Sequence, residues 1–126
     1  MEKIVIAPQI YTYDIDSNRH VSNITYIRWM EMGRIKLLEQ VGMPVHKIEK
    51  LGFAPVLTRT EISYKKPLYL GDEVRIELSI SKLGKASGII SFDFIRDPDE
   101  LVATGEQEAL FFSLETMKFA DYLLEE

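Results

Sequence analysis

Four polar side chains occupy alternate positions near the amino terminus of the chain: Asp14, Asp16, Asn18 and His20. A carboxylate can take a proton, an amide can hold a water or a ligand, and an imidazole can titrate near neutral pH. The segment that follows has the composition of a helix start, where free N–H groups favour negative charge. This combination suits transfer of an acyl group to water, with a carboxylate as base or nucleophile and helix amides holding the developing oxyanion.

The same residue types also occur where no chemistry takes place. Asp and Asn between a strand and a helix are ordinary turn and capping residues, and a histidine before a helix can simply bond a backbone carbonyl. Spacing alone therefore leaves the catalytic and the structural interpretation both open.

Composition excludes several other chemistries. The 126 residues include no cysteine, which rules out a disulfide framework, a cysteine-ligated zinc site, an iron–sulfur cluster and a cysteine nucleophile. His20 and His46 lie 26 positions apart with no matching ligand cluster, so we expect neither a metal nor a cofactor. The net charge of −5 is too acidic for a protein that coats nucleic acid.

The organisation of the chain is that of one domain spanning residues 1–126, because no repeat, low-complexity stretch or Pro/Gly-rich linker divides it. No apolar run approaches the ~20 residues of a membrane-spanning helix, and the apolar residues 4–7 are too few for a signal-peptide core. We therefore expect a cytoplasmic protein that does not enter a membrane.

Hydrophobic periodicity predicts the elements that position the polar cluster. A first strand is expected at residues 3–13, followed by a long helix from Ser22 or Asn23 to Val41 and a short helical turn at 44–51. Alternating patterns then predict four strands, and the chain ends in a helix or fraying tail at 116–126. The expected strands are 56–64, 74–81, 90–95 and 101–113.

This order favours an α+β domain whose antiparallel sheet curls around one long helix, and it excludes a doubly wound parallel sheet. The apolar stripe of the helix contains positions 24, 27, 30, 37, 38 and 41, and Tyr26, Trp29 and Ile35 widen it. A helix this apolar is expected to be surrounded by other structure. Apolar positions on both faces of the last strand favour pairing between copies of the chain.

The run from Tyr13 to Glu31 resembles the D-x-D-x-x-x-H-V-x-N-x-x-Y-x-x-W-x-E signature of hotdog-fold thioesterases. That signature is found in plant-type acyl-ACP thioesterases and in the 4-hydroxybenzoyl-CoA thioesterase-like group. The resemblance continues at residues 67–74, the turn into the family's long central strand, and at 82–87, the hairpin after it. It implies a single hotdog domain, in which a curled antiparallel sheet wraps around one long central helix.

The resemblance assigns the catalytic carboxylate to Asp16, which would either activate a water or attack the thioester directly. Asn18 and His20 match partner residues in the plant-type branch, whereas only the aspartate matches in the other branch. Departures from the family occur at Arg19, where Gly or Gln is common, and at Ser22, where Asn is usual. They put the shape of the loop and the substrate preference in doubt more than the chemistry.

The oxyanion is expected to be held by amides at the helix start, those of Asn23, Ile24 and Thr25. Glu31 is the second candidate carboxylate, because a helical Glu is the acid or base in related hotdog enzymes. Tyr26 is expected to be a core residue.

The implied substrates are acyl-CoA or acyl-ACP, and the implied assembly is a homodimer or homotetramer with the active site between protomers. The basic residues nearest to where the family places CoA are the candidates for its phosphates. They are Lys82, Lys85 and Ser87, joined by Arg59, Lys65 and Lys66.

Two other functions remain open for this fold. One is a hydratase or dehydratase that pairs His20 with Glu31 or Asp16, and the other is a non-catalytic module that binds acyl-CoA. The contiguous loop of Asp16, Asn18 and His20 favours hydrolysis over both.

Overall fold

Six strands and two α-helices make up the regular structure within residues 3–84, 87–113 and 119–120, the part of the chain that this computed structural model describes. The helices are α1 (Asn23–Gln40) and α2 (Val45–Lys50), and a single 3-10 turn spans Thr12–Asp14. The strands are β1 (Ile4–Ile6), β2 (Phe53–Tyr64), β3 (Val74–Leu83), β4 (Ser87–Arg96), β5 (Glu100–Ser113) and β6 (Phe119–Ala120).

The strands form one antiparallel sheet in the order β1–β3–β4–β5–β2, and β6 pairs with the end of β5. Short turns join β3 to β4 and β4 to β5, which are neighbours in the sheet. The connection after β2 instead crosses the sheet to β3. The predicted α+β class, with an antiparallel sheet and one long helix, is confirmed. The predicted helical turn at 44–51 is confirmed as α2.

Helix α1 begins at Asn23 because the side chain of Ser22 accepts the N–H of Thr25 at 3.3 Å. Its buried face contains Thr25, Tyr26, Trp29, Met30, Gly33 and Leu37. This face packs on the inner surface of the sheet, whose fully buried side chains include Ile76, Leu78, Phe92, Phe94 and Val102. Burial of each such side chain contributes about 1.5–3 kcal/mol.

The helix lies close to the sheet because glycines occupy the crossing points. A Cβ atom on Gly105 would lie 2.9 Å from Cε of Met30, and one on Gly33 would lie 3.0 Å from Cδ1 of Leu78. These spacings leave no room for a larger side chain without movement of the neighbours.

The predicted stripe of α1 is only partly correct. Met30 and Leu37 are buried, but Ile24, Ile27 and Val41 are exposed, since the sheet packs against the aromatic face of the helix. Within the described residues, one face of α1 therefore remains uncovered, and the expectation that structure surrounds the helix is wrong for a single chain.

Both ends of the chain differ from prediction. Strand β1 ends at Ile6 instead of continuing to Tyr13, because Pro8 has no N–H for the ladder and residues 12–14 turn into a 3-10 helix. At the other end, Phe119–Ala120 pairs with β5 as a short strand, where a helix or a fraying tail is expected. The remainder of the predicted segment, residues 116–118 and 121–126, lies outside the described residues.

One polar contact crosses the core between α1 and the sheet. Nη1 of Arg34 donates to Oε1 of the fully buried Gln107 at 2.7 Å, and Nε2 of Gln107 donates to Oγ1 of Thr60 at 3.3 Å. Burial lowers the pKa of the Arg34 guanidinium, and the Glu31 carboxylate partly opposes this effect. The contact ties the middle of the helix to β5 and β2.

No helix in the described ranges is long and apolar enough to cross a bilayer.

Candidate active site

The loop before α1 is a tight hairpin closed by a bridge between Ile15 and Val21. The N–H of Asp16 donates to the carbonyl of His20 at 2.9 Å, and the carbonyl of Asp16 accepts the N–H of Arg19 at 3.0 Å. Oδ1 of Asp16 accepts the N–H of Asn18 at 2.9 Å. To close this turn, Arg19 adopts a left-handed φ of 66°, which a glycine adopts at lower cost. The loop therefore holds Asp16, Asn18 and His20 together.

Asp14 anchors the hairpin to the protein. Its carboxylate is buried, accepts the N–H of Tyr11 at 2.8 Å and lies 3.3 Å from the hydroxyl of Thr25. Its carbonyl accepts the N–H of Ser22 at 2.8 Å. The two nearby carboxylates therefore have different environments: that of Asp14 is buried in structural contacts, whereas that of Asp16 is exposed.

Asp16 faces a groove of about 410 Å³ between the start of α1 and the end of β2. This volume lies within the range of small-molecule sites. The groove is lined by Asp16, Asn18, His20, Val21, Asn23, Tyr26, Tyr64, Lys65, Lys66 and Pro67. An edge contact with Tyr69, with ring centroids 5.2 Å apart, helps to fix the imidazole of His20. The structure brings together an acceptor carboxylate, an imidazole and an amide, as the sequence predicted.

The helix start supplies fewer free amides than predicted. The N–H of Thr25 is already donated to Ser22, to its carbonyl at 3.0 Å and to its hydroxyl at 3.3 Å, so Thr25 is removed from the proposed oxyanion donors. The N–H groups of Asn23 and Ile24 have no acceptor among the described residues, as expected for the first turn of a helix. Asn23 lines the groove and Ile24 does not.

Lys82 and Ser87, the described members of the predicted phosphate set on the β3–β4 hairpin, lie far from this groove within one chain. Arg96, which pairs with Val74 at the beginning of β3, donates to the carbonyl of Pro67 at 2.9 Å, so this end of β3 adjoins the groove. Lys82 is eight residues further along, roughly 26 Å at about 3.3 Å per residue. Ser87 begins the strand that pairs with that far end.

Two of the other basic candidates do line the groove. Lys66 is ion-paired with Glu100 at 2.7 Å, whereas Lys65 makes no ion pair within the described residues. Arg59 lies outside the groove and pairs with two carboxylates on the sheet. Lys85 is outside the described residues.

Glu31 is separated from Asp16. It lies in a second groove of about 260 Å³ between α1, α2 and β2, where its carboxylate is 3.5 Å from Nη2 of Arg34. The structure therefore does not bring Glu31 next to His20, as one form of the hydratase alternative requires, whereas it does bring His20 and Asp16 into one groove, as the other form requires. In the described part of the chain, no three His, Asp or Glu side chains are arranged to hold a metal ion.

Sequence reasoning missed the contribution of Tyr64 to the groove. Tyr64 is the last residue of β2, and its ring contacts Tyr26 edge-on with centroids 5.1 Å apart. Its position beside α1 follows from the pairing of β2 with β5, which places Tyr64 opposite Ala103. A sequence signal was present only in the adjacent Lys65-Lys66-Pro67 turn.

The fold corresponds to that of a known class of proteins. The model of the thioesterase-like superfamily matches residues 10–122, so the chain belongs to that superfamily. The resemblance to hotdog-fold thioesterases is thereby confirmed. The DHNA-CoA thioesterase from Staphylococcus aureus has the same fold with a TM-score of 0.88. It is 19% identical, and the superposition covers 96% of this chain and 81% of that one.

Two curated relatives are similar in sequence. The long-chain acyl-CoA thioesterase FadM from Escherichia coli is 29% identical over 111 residues, which cover 84% of this chain and 80% of that protein. A putative esterase from Aquifex aeolicus is 27% identical over 84 residues, which cover 67% of this chain and 66% of that protein. The chain spans less than two thirds of the length of this esterase and of two further curated relatives.

Proposed function

We propose that this protein hydrolyses the thioester bond of acyl-CoA or acyl-ACP, releasing a free acid and a thiol. The observation that carries the proposal is the groove in which the exposed carboxylate of Asp16 lies with Asn18 and His20 beside the start of α1. Membership of the thioesterase-like superfamily supports it, as does similarity to FadM, a long-chain acyl-CoA thioesterase.

In the proposed reaction, Asp16 takes a proton from a water that attacks the thioester carbonyl carbon. The resulting oxyanion is held by the N–H of Asn23, and Asn18 and His20 orient the water or the acyl carbonyl. The C–S bond then breaks, and the thiolate takes up the proton that Asp16 accepted. In the covalent variant, Asp16 attacks the carbonyl itself, expels the thiolate and forms a mixed anhydride that water hydrolyses.

The N–H of Asn18 binds only Oδ1 of Asp16. The other carboxylate oxygen of this exposed residue makes no hydrogen bond within the described residues and is available to a water or to a carbonyl carbon. The same contact fixes the orientation of the carboxylate, which serves either variant of the reaction.

We further propose that residues 1–126 act as one hotdog unit and that copies of it assemble as a homodimer or homotetramer, with the active site at the interface. The uncovered face of α1, which includes Ile24, Ile27 and Met32, supports this assembly, and so does the exposed edge of β2 at Val56 and Leu57. Sedimentation analysis tests it, and a species of 14.5 kDa at working concentration would contradict it.

In such an assembly, Lys82 and Ser87 would contact CoA bound in the groove of a neighbouring copy, because they are distant from the groove of their own chain. The sequence places Lys85 in the same set of candidates. The test is a Lys82→Ala/Lys85→Ala variant. We expect a raised KM for acyl-CoA, with a smaller dependence on salt than in the wild type. Unchanged kinetics would show that both lysines are solvated surface residues.

The hydrolytic activity itself is tested with a panel of acyl-CoA and acyl-ACP thioesters of increasing chain length, including aromatic acyl groups. Release of free thiol is followed with a thiol-reactive chromophore against a no-enzyme control. We expect enzyme-dependent release for at least one acyl class. No release from any member of the panel would contradict the proposed function.

A further inference from the structure

Tyr26 carries a hydroxyl group that the fold leaves without a partner. The side chain is only 2% exposed, yet its Oη atom makes no hydrogen bond to any described residue. Among the described residues, no fully buried polar side-chain atom lacks a partner. The unpartnered hydroxyl therefore keeps some exposure to solvent, and Tyr26 is one of the residues that line the groove of Asp16 and His20.

The ring of Tyr26 is held by three aromatic neighbours. Its centroid lies 5.1 Å from those of Tyr64 and Phe94 and 5.5 Å from that of Trp29. Such contacts fix the ring, so the direction of its hydroxyl is set before a ligand arrives. Burial raises the pKa of Tyr26 to about 12, with contributions from Tyr64 and Asp72 and an opposing effect of Arg96, so the phenol keeps its proton at neutral pH.

The start of α1 supplies few backbone donors for an oxyanion in this groove. The ionised carboxylate of Asp16 only accepts hydrogen bonds, and the N–H of Thr25 is used within the helix cap. Of the described α1 residues that line the groove, only Asn23 has a backbone N–H with no acceptor. An oxyanion is best held by two donors, and the hydroxyl of Tyr26, a residue of the same groove lining, is the candidate for the second.

We propose that Tyr26 is a further catalytic residue, whose hydroxyl donates a hydrogen bond to the thioester carbonyl oxygen and to the oxyanion formed from it. This inference rests on the proposed thioesterase function. It changes the expectation that Tyr26 is only a core residue, because the ring belongs to the core and the hydroxyl belongs to the site.

The kinetic test is Tyr26→Phe, which removes one oxygen atom and preserves the packing of the ring. We expect kcat to fall by about 10²-fold or more, as for loss of an oxyanion donor, with a much smaller change in KM and no decrease in Tm. The matched control is Tyr13→Phe, which removes a phenol hydroxyl from an exposed ring outside the groove and leaves kcat unchanged. A Tyr26→Phe enzyme with the kcat of the wild type, or with a clearly lowered Tm, would overturn the proposal.

A binding test separates this inference from the hydrolytic function. Two stable CoA analogues are compared: a ketone, in which CH₂ replaces the thioester sulfur and the carbonyl is kept, and an S-alkyl thioether without a carbonyl. We expect Tyr26→Phe to weaken ketone binding about tenfold and to leave thioether binding unchanged. Equal effects on both ligands, or none on either, would overturn the role of Tyr26 even if the wild type hydrolyses thioesters. Selective loss of ketone binding would support it even if no thiol release is detected.

Discussion

The backbone N–H of Asp16 donates to the carbonyl oxygen of His20 at 2.9 Å, so two residues separated by four positions in sequence face each other across one small hairpin. Fully extended, the same segment would separate them by roughly 13 Å. Closure of the loop is therefore what forms the candidate site. The predictions that follow begin with the residues that keep the loop closed.

Arg19 holds the turn at an energetic cost. Its left-handed φ of 66° costs about 1–2 kcal/mol for a residue with a Cβ, and glycine removes most of this cost at an entropic penalty of about 0.5–1 kcal/mol. We expect Arg19→Gly to raise the free energy of unfolding by about 0.5–1 kcal/mol, measured by urea denaturation. The control is Ser17→Gly in the same loop, which has no positive φ to relieve and is expected to destabilise. A lower stability for Arg19→Gly would contradict the explanation by strain.

Asp14 is expected to act on the site through the loop. Asp14→Ala removes the acceptor for the N–H of Tyr11 and the contact with the hydroxyl of Thr25, which we expect to cost about 1–3 kcal/mol of stability. Thiol release should fall as well, because Asp16 and His20 lose their fixed positions. Asp93→Ala, which removes an exposed carboxylate on the sheet, should change stability by less than about 0.5 kcal/mol. Equal stability of the two variants would show that Asp14 does not anchor the hairpin.

Arg34 and Gln107 are expected to contribute to stability as a pair. Gln107→Leu removes the acceptor of a largely buried guanidinium and should cost about 1.5–3 kcal/mol. Arg34→Met in addition should restore part of this loss, since no buried donor is then left without a partner. Denaturation of the two single variants and the double variant gives the coupling free energy. Additive effects would mean that the 2.7 Å contact contributes nothing of its own.

Glu100 is expected to make the thermal stability of the protein depend on pH in the acidic range. Hydrogen bonds from Lys66 and then from Arg96 hold the pKa of Glu100 below its ordinary value of 4.5 in the folded chain. A lowered pKa means that this stabilisation is complete above pH 4.5 and is lost as the pH falls through the folded value. Tm should therefore drop less steeply in acid for Glu100→Gln than for the wild type, and added salt should reduce the difference. Parallel Tm profiles below pH 4.5 would contradict this role.

The sequence was sufficient to predict α1, α2 and the succession of long strands along the chain, because the signals for these elements are local. Ser22 marks the start of α1, and the strict alternation from Val74 onward matches the buried face of β3. The buried face of α1 was harder to predict. Which face of α1 is buried depends on Gly33 and Gly105, which allow the helix to approach the sheet along its aromatic face. Hydrophobic periodicity contains no information on that approach.

The same distinction applies to the site. Asp16, Asn18 and His20 are close in sequence, and the structure places them in one groove. The participation of Tyr64 depends on the pairing of β2 with β5, which spacing alone does not reveal. The use of the Thr25 N–H in the cap follows once Ser22, of the two candidates Ser22 and Asn23, is known to be the N-cap.

The most direct test of the central claim is the rate of thiol release by Asp16→Asn. Asparagine keeps an oxygen that accepts the N–H of Asn18, so the turn should be preserved while the charge and the base are lost. We expect kcat to fall by about 10²- to 10⁴-fold with an unchanged Tm, and we expect Asp93→Asn to match the wild type. Equal rates for Asp16→Asn and the wild type on a substrate that the wild type hydrolyses would contradict the assignment of Asp16 as the catalytic carboxylate.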